Sequence, residues 1–185
     1  VGDRKNQVCP VERANSLDFR LRRWVQNPQK ILRPYVKEGM TVLDFGCGPG
    51  FFTIDLAKMV GESGQVIAAD LQEGMLDRLR KKIQRTDLQD RIILHQCDTN
   101  RIGLSKTIDF VLAFYMLHEV PDQEGFFNEI GRILKSKGEI LIVEPPFHVS
   151  KSVFEATIRK AQNAGFVLVE RPKVFFSKTA LLIKN

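Results

Sequence analysis

The residues best suited to chemistry begin at a glycine-rich stretch, Val42-Leu43-Asp44-Phe45-Gly46-Cys47-Gly48-Pro49-Gly50. Gly46, Gly48 and Gly50 let the backbone turn sharply and lie against a ligand with no Cβ in the way. Val42, Leu43 and Phe45 are apolar and suit a strand covered on both faces. A helix is expected to begin near Phe51, and the free N–H groups at its start favour polar or anionic ligand groups. The stretch predicts a nucleotide-like cofactor lying across the end of the first strand. It is not the dinucleotide fingerprint G-x-G-x-x-G, which wants its third glycine one residue later, where this chain has Phe51.

Further polar residues fall at the ends of later apolar runs. Asp70 ends the run 65–69, about 20 residues past the loop, where an acid accepts both ribose hydroxyl hydrogens of a nucleoside. Leu71 would then border the base. Asp98, after the run 92–95, is placed either to accept from an adenine amino group or to form a turn. Cys97 beside it reads as a small, inert residue flanking the base. The segment Ala113-Phe114-Tyr115-Met116-Leu117-His118-Glu119-Val120-Pro121 leaves a fourth run toward the ligand edge of an open sheet. Phe114 and Tyr115 are candidate contacts for cofactor or substrate. His118 is the best candidate general base, since imidazole titrates near neutrality; a histidine bonded to backbone at a helix start is the alternative. Glu144 and His148 are candidates for an acceptor pocket. With His118 and Glu119 they have no metal-ligand spacing, so no metal is expected.

The stretch Asp44-Phe45-Gly46-Cys47-Gly48-Pro49-Gly50 resembles motif I of the class I S-adenosylmethionine-dependent methyltransferases. The resemblance covers the chain from about Pro28 to Lys184, and the segment around His118-Glu119-Val120-Pro121-Asp122 is similar to the quinone-biosynthesis and arsenite branches. It implies that the glycine loop, Cys47 included, passes the methionine portion of S-adenosylmethionine with Asp44 nearby. It implies that Asp70 binds the ribose, that Asp98 and Cys97 meet the adenine, and that the segment from Phe114 opens toward the methyl acceptor. Tyr115 and His118 are then the candidate catalytic residues. The implied reaction is direct in-line displacement, in which positioning supplies much of the rate. The arsenite reading needs thiols near the acceptor; no cysteine follows the fourth strand, and Cys9 and Cys47 stand elsewhere.

These residues need a sheet edge to position them, and hydrophobic periodicity supplies one. Strands are expected at 42–45, 65–70, 92–95, 108–113, 139–143, 166–169 and 179–183. Helical stripes recur between them: Leu17, Leu21, Trp24 and Val25; a helix opened by Asn27-Pro28 and cut short by Pro34; residues 54–60; Met75, Leu79 and Ile83; Phe126 through Leu134, closed by Gly138; and 153–164. The alternation predicts a single α/β domain, a seven-stranded Rossmann-like sheet, mostly parallel, with helices on both faces. The link 170–178 is too short for a crossover helix, so the last two strands should be antiparallel. The resemblance adds that the last strand inserts beside the fifth. Residues 1–27 are expected to be a helical lid and 28–185 the methyltransferase domain.

Composition bounds the remaining choices. The chain has 185 residues, 43% hydrophobic and 27% charged, which suits one domain with a sizeable core. No apolar run reaches the roughly 20 residues of a membrane helix, and no membrane partner is expected. The basic, polar start lacks a secretory h-region, and Val1 is not an initiator methionine, so the natural chain is expected to begin upstream. Three cysteines without metal spacing suggest reduced thiols and a cytoplasmic location. The net charge of +6 permits an RNA acceptor without demanding one. Three readings follow: a methyltransferase acting on a small molecule, one acting on RNA or protein, and a cofactor-binding partner subunit without turnover. A monomer or homodimer is expected.

Overall fold

The computed structural model describes residues 26–185. The expected helical stripe Leu17 to Val25, Cys9 and most of the expected lid lie outside the described residues. The elements in chain order are α1 (Pro28–Leu32), β1 (Thr41–Phe45), α2 (Thr53–Met59), β2 (Gln65–Asp70), α3 (Glu73–Ile83), β3 (Ile92–Gln96), β4 (Ile108–Phe114), α4 (Gln123–Ile133), β5 (Leu134–Glu144), α5 (Lys151–Asn163), β6 (Phe166–Glu170) and β7 (Lys178–Lys184). One seven-stranded sheet runs β3-β2-β1-β4-β5-β7-β6. The first five strands are parallel. Strand β7 inserts antiparallel between β5 and β6, as expected for the chain's ending.

Side-chain alternation in the strands builds two cores. Val42, Val66, Ala68, Phe110, Leu112, Leu141 and Val143 face one side, where Leu32, Leu56 and Leu79 of α1, α2 and α3 cover them. Leu43, Ile67, Val111, Ile140 and Ile142 face the other, against Phe127 and Ile130 of α4 and Phe154 and Ile158 of α5. Burial on both faces is why these strands read as continuous apolar runs. Helix α1 starts as its sequence dictates: the Asn27 side chain accepts the Lys30 N–H at 3.2 Å, with Pro28 at the first position. It ends at Leu32, two residues before Pro34.

Two boundaries differ from the sequence expectation. Helix α2 begins at Thr53 rather than near Phe51, because the turn of the glycine loop continues through residues 48–52. The stripe through Leu134 is not all helix: α4 stops at Ile133, and Leu134 starts β5 by pairing with Ile108. The ladder then slips, and regular pairing resumes at Phe110 with Glu139. Residues 135–138, Lys-Ser-Lys-Gly, fill the slip, with Lys137 in the left-handed region at φ 62°. Gly138 therefore lies inside β5 and does not close a helix.

Parallel order puts the C-terminal ends of β2, β1, β4 and β5 along one edge. That edge, where strand order reverses between β1 and β4, is where an open α/β sheet offers a crevice. Helix α4 props it from one face through Phe126, which packs on Phe45 at the end of β1 with ring centroids 4.8 Å apart. Phe127, one residue on, is fully buried. Replacing it (Phe127→Ala) should cost about 3–5 kcal/mol in urea unfolding, the usual range for emptying a packed aromatic site.

Candidate active site

The site is built around buried carboxylates on three of the crevice strands: Asp44 in β1, Asp70 at the end of β2 and Glu144 at the end of β5. A buried carboxylate is costly unless hydrogen bonds hold it, and each of these has identifiable donors. Asp44 accepts the Thr53 hydroxyl at 2.6 Å, which ties β1 to the first residue of α2 across the glycine loop. Asp70 accepts the Gly48 N–H on Oδ2 at 2.8 Å and the Gln72 N–H on Oδ1 at 2.9 Å. Burial pushes its pKa up, and the backbone bonds from Gln72, Gly48 and Leu71 pull it down. The two carboxylate oxygens offer about four lone pairs, so acceptor capacity for a ligand hydroxyl remains beside these backbone bonds.

The three glycines of the loop do different things. All have positive φ: 72° at Gly46, 53° at Gly48 and 84° at Gly50. A Cβ at Gly46 would lie 2.8 Å from Met116 Cβ, and one at Gly50 would lie 2.5 Å from Leu79 Cδ1. The protein itself needs those two spaces. A Cβ at Gly48 would meet nothing within 4 Å. Gly48 therefore faces open space beside Asp70, as a ligand-lining glycine should. The loop amides differ from the expected cradle. Gly46 and Cys47 donate to the Ala69 carbonyl at 2.8 and 3.0 Å, Gly50 donates to the Cys47 carbonyl, and Gly48 donates to Asp70. The loop is thus braced by the protein, and Lys82 of α3 adds a bond to the Pro49 carbonyl at 2.5 Å.

Leu71 and Cys97 flank Asp70. Gln96 Nε2 reaches the Leu71 carbonyl at 3.4 Å, and the Cys97 N–H donates to the Asp70 carbonyl at 3.0 Å. Both described thiols are unreactive in character: burial pushes Cys97 up to about 12 and Cys47 higher still. Asp98 forms a tight turn with Arg101, by paired backbone bonds of 3.0 and 3.3 Å, and its side chain is exposed.

The other half of the edge is formed by the segment after β4. Phe114 is buried, with its ring between those of Phe52 and Tyr115 at 4.3 and 4.5 Å. Tyr115 sits at φ 58°, a strained conformation for a side chain of its size. Its hydroxyl meets Ser177 Oγ at 2.6 Å and accepts from Gln26 Nε2 at 2.9 Å. His118 lies in a single turn, Leu117–Glu119. Its backbone N–H donates to Glu144 Oε1 at 2.9 Å, and its Nδ1 lies 2.6 Å from Glu144 Oε2. The bonding partner is a buried carboxylate and not the backbone, and the His118 side chain is 26% exposed. With Nδ1 engaged, Nε2 is the other ring nitrogen, 4.0 Å from Glu119 Oε1.

The Glu144 hydrogen bond raises the His118 pKa above its ordinary value, against the effect of burial. Burial likewise raises the Glu119 carboxyl. His148 is exposed in the following loop. No cluster of metal-binding side chains occurs among the described residues. Sequence reasoning placed Glu144 at the crevice but missed that it orients His118; it missed Thr53, Ser177 and Gln26 altogether. The available signal for Glu144 was the one used for Asp70, an acid ending a buried strand.

Two outcomes check this geometry. Gly50→Val should destabilise the fold by about 1–3 kcal/mol through overpacking beyond its backbone strain, whereas Gly48→Val, strained at φ 53° but with no side chain in its way, should lose less stability and lose nucleoside-ligand binding in calorimetry. Glu144→Gln should lower the His118 titration midpoint measured by NMR. The sign for stability follows: a raised folded-state pKa contributes fully below the unfolded value and is lost as pH rises through the folded one. The wild-type advantage over Glu144→Gln in chemical denaturation should therefore shrink from mildly acidic to alkaline pH.

Comparison with known proteins agrees with this architecture. A family described as "Methyltransferase domain" matches residues 36–172. The demethylmenaquinone methyltransferase of Lactobacillus johnsonii is 42% identical over 110 residues, covering 59% of this chain and 45% of that protein. The ubiquinone/menaquinone biosynthesis C-methyltransferase of Cronobacter sakazakii is 32% identical over 147 residues, covering 78% and 57%. The chain thus spans about half the length of these relatives. A crystal structure of a SAM-dependent methyltransferase from Aquifex aeolicus superposes with a TM-score of 0.80 at 28% identity, over 94% of this chain and 95% of that one. The seven-stranded sheet, the braced glycine loop and the match over residues 36–172 together mean that this chain belongs to the methyltransferase domain family.

Proposed function

We propose that this chain binds S-adenosylmethionine and methylates a small aromatic acceptor, a ring carbon of a hydroquinone. The observation that carries the reading is the pairing of two arrangements on one sheet edge. Asp70 offers a buried diol acceptor beside the open face of Gly48, and His118 is oriented by Glu144 at the adjoining strand ends. The residues fit the cofactor. Asp70 would hold the ribose, Leu71, Cys97 and Asp98 the adenine, and Asp44, Gly46, Cys47, Gly48, Gly50 and Phe114 the methionine side. The acceptor class is suggested by the named activities of the relatives from Lactobacillus johnsonii and Cronobacter sakazakii. Gln26 bonds to Tyr115 and so lies at this end of the sheet, and a covering role for 1–27 is part of the proposal. No described helix is long and apolar enough to cross a membrane.

Bound S-adenosylmethionine supplies an electrophilic methyl on a sulfonium leaving group. The protein's own residues align and activate the acceptor. Glu144 fixes the imidazole so that Nε2 receives the proton of an acceptor hydroxyl, which moves charge onto the ring carbon that will carry the methyl. Once the carbon–methyl bond has formed, that carbon releases its proton to solvent and the imidazolium returns its own to the ring oxygen. Tyr115, held by Ser177 and Gln26, positions the ring.

Transfer of a labelled methyl from S-adenosylmethionine to a naphthohydroquinone tests the reading. His118→Ala should lower kcat roughly 10²–10⁴-fold, the usual worth of a general base, while S-adenosylhomocysteine still binds. Asp70→Ala should weaken that binding by about 1–3 kcal/mol. The wild-type rate should rise with pH through a midpoint above the ordinary imidazole value. A rate independent of His118 would remove the base from the mechanism.

A further inference from the structure

Two loops at the crevice edge carry aromatic side chains that the protein leaves in water. Phe147, after β5, is 92% exposed; Phe175 and Phe176, between β6 and β7, are 62% and 73% exposed. Phe175 and Phe176 pack edge to face, 4.6 Å between centroids, with Phe175 at φ 50°. The loops are tied together: Lys178 pairs with Glu144 in the β5–β7 ladder and donates to the Pro146 carbonyl at 2.9 Å. They also adjoin the acceptor side, since Ser177 meets the Tyr115 hydroxyl and Glu144 holds His118. Clustered exposed phenylalanines are costly in water and mark an interaction surface.

Within the two loops the charge is of one sign. Residues 145–151 (PPFHVSK) and 171–178 (RPKVFFSK) contain lysines and an arginine and no Asp or Glu. Lys151 and Lys173 are exposed. The acids that flank these loops are engaged: Glu144 with His118, Glu155 with Arg171 at 2.9 Å, and Glu170 with the Tyr35 hydroxyl at 2.8 Å. Exposed phenylalanines and exposed lysines on the same two loops match the layered chemistry of a lipid surface, with rings entering the acyl boundary and ammonium groups meeting anionic headgroups.

We propose that this face docks on an anionic phospholipid membrane, with Phe147, Phe175 and Phe176 as the inserted side chains and Lys151 and Lys173 as the headgroup contacts. The mouth of the crevice then opens at the bilayer surface. An apolar acceptor dissolved in the bilayer would reach it without crossing water, and this last step rests on the function proposed above. The sequence expectation of no membrane partner was drawn from the lack of a spanning run. A peripheral contact made by three loop phenylalanines leaves no such run.

The test is co-sedimentation of the full chain with vesicles of phosphatidylcholine, with and without phosphatidylglycerol, at low and high salt. The protein should pellet with the anionic vesicles and less well in high salt. Phe147→Ser/Phe175→Ser/Phe176→Ser should lower partitioning at least about tenfold, and Lys151→Ser/Lys173→Ser should flatten its salt dependence. Phe147→Ser alone should lose several-fold and guards against misfolding of the triple variant. S-adenosylhomocysteine calorimetry on the same samples reads the cofactor site separately, so loss of either property is distinguishable. Wild-type protein remaining in the supernatant, or a folded triple variant that pellets equally, overturns the proposal. So does self-association, seen by light scattering, that the triple variant abolishes without vesicle binding; the face would then take a second copy of the chain.

Discussion

The Asp70 carboxylate accepts one backbone N–H from the glycine loop and one from the turn into α3, and the crevice depends on that pair of bonds. It joins the glycine loop to the turn into α3 through a single buried group. Because both donors are main-chain amides, the carboxylate is satisfied without a cationic partner, and its free lone pairs keep their polarity in a largely apolar setting. The surrounding bonds serve the same end. Asp44 fixes α2 through Thr53, and the Ala69 carbonyl receives Gly46 and Cys47. Bracing of this kind lowers the ordering entropy that a loop loses on binding.

On the other side of the switch point, Glu144 repeats the device with a different purpose. It too is a buried acid ending a parallel strand, 2% exposed, but its donors are the backbone and ring of His118. A side chain rather than a loop is what it positions. The two halves of the edge are complementary in chemistry: acceptors in a fixed frame at β2, and a titratable group with a fixed tautomer at β4 and β5. Tyr115 at φ 58° stands between them; its strained backbone donates to the Val143 carbonyl at 2.7 Å, and its hydroxyl is held by Ser177 and Gln26.

Much of this was legible because the relevant signals are local. Strands buried on both faces must be apolar throughout, so β1, β2, β4 and the paired part of β5 stood out, as did the acid closing β2. The α4–β5 junction was not legible. Ile133 and Leu134 continue one apolar stripe, and only the pairing of Leu134 with Ile108, a contact between segments distant in sequence, ends the helix there. The glycines show the same limit. Gly46, Gly48 and Gly50 look equivalent in sequence, yet Met116 and Leu79 claim the space at two of them and leave Gly48 open. Glu144 and His118 are brought together by the adjacency of β4 and β5, which no local pattern encodes.

The central claim is that this edge is a nucleoside-sulfonium site, and calorimetric titration of the chain with S-adenosylhomocysteine and, in parallel, NAD tests it most directly. The account predicts micromolar binding of the sulfur ligand, about −8 kcal/mol, and none of NAD, since the loop lacks the dinucleotide spacing at Phe51. Folded protein that binds NAD, or that leaves S-adenosylhomocysteine unbound, would contradict it.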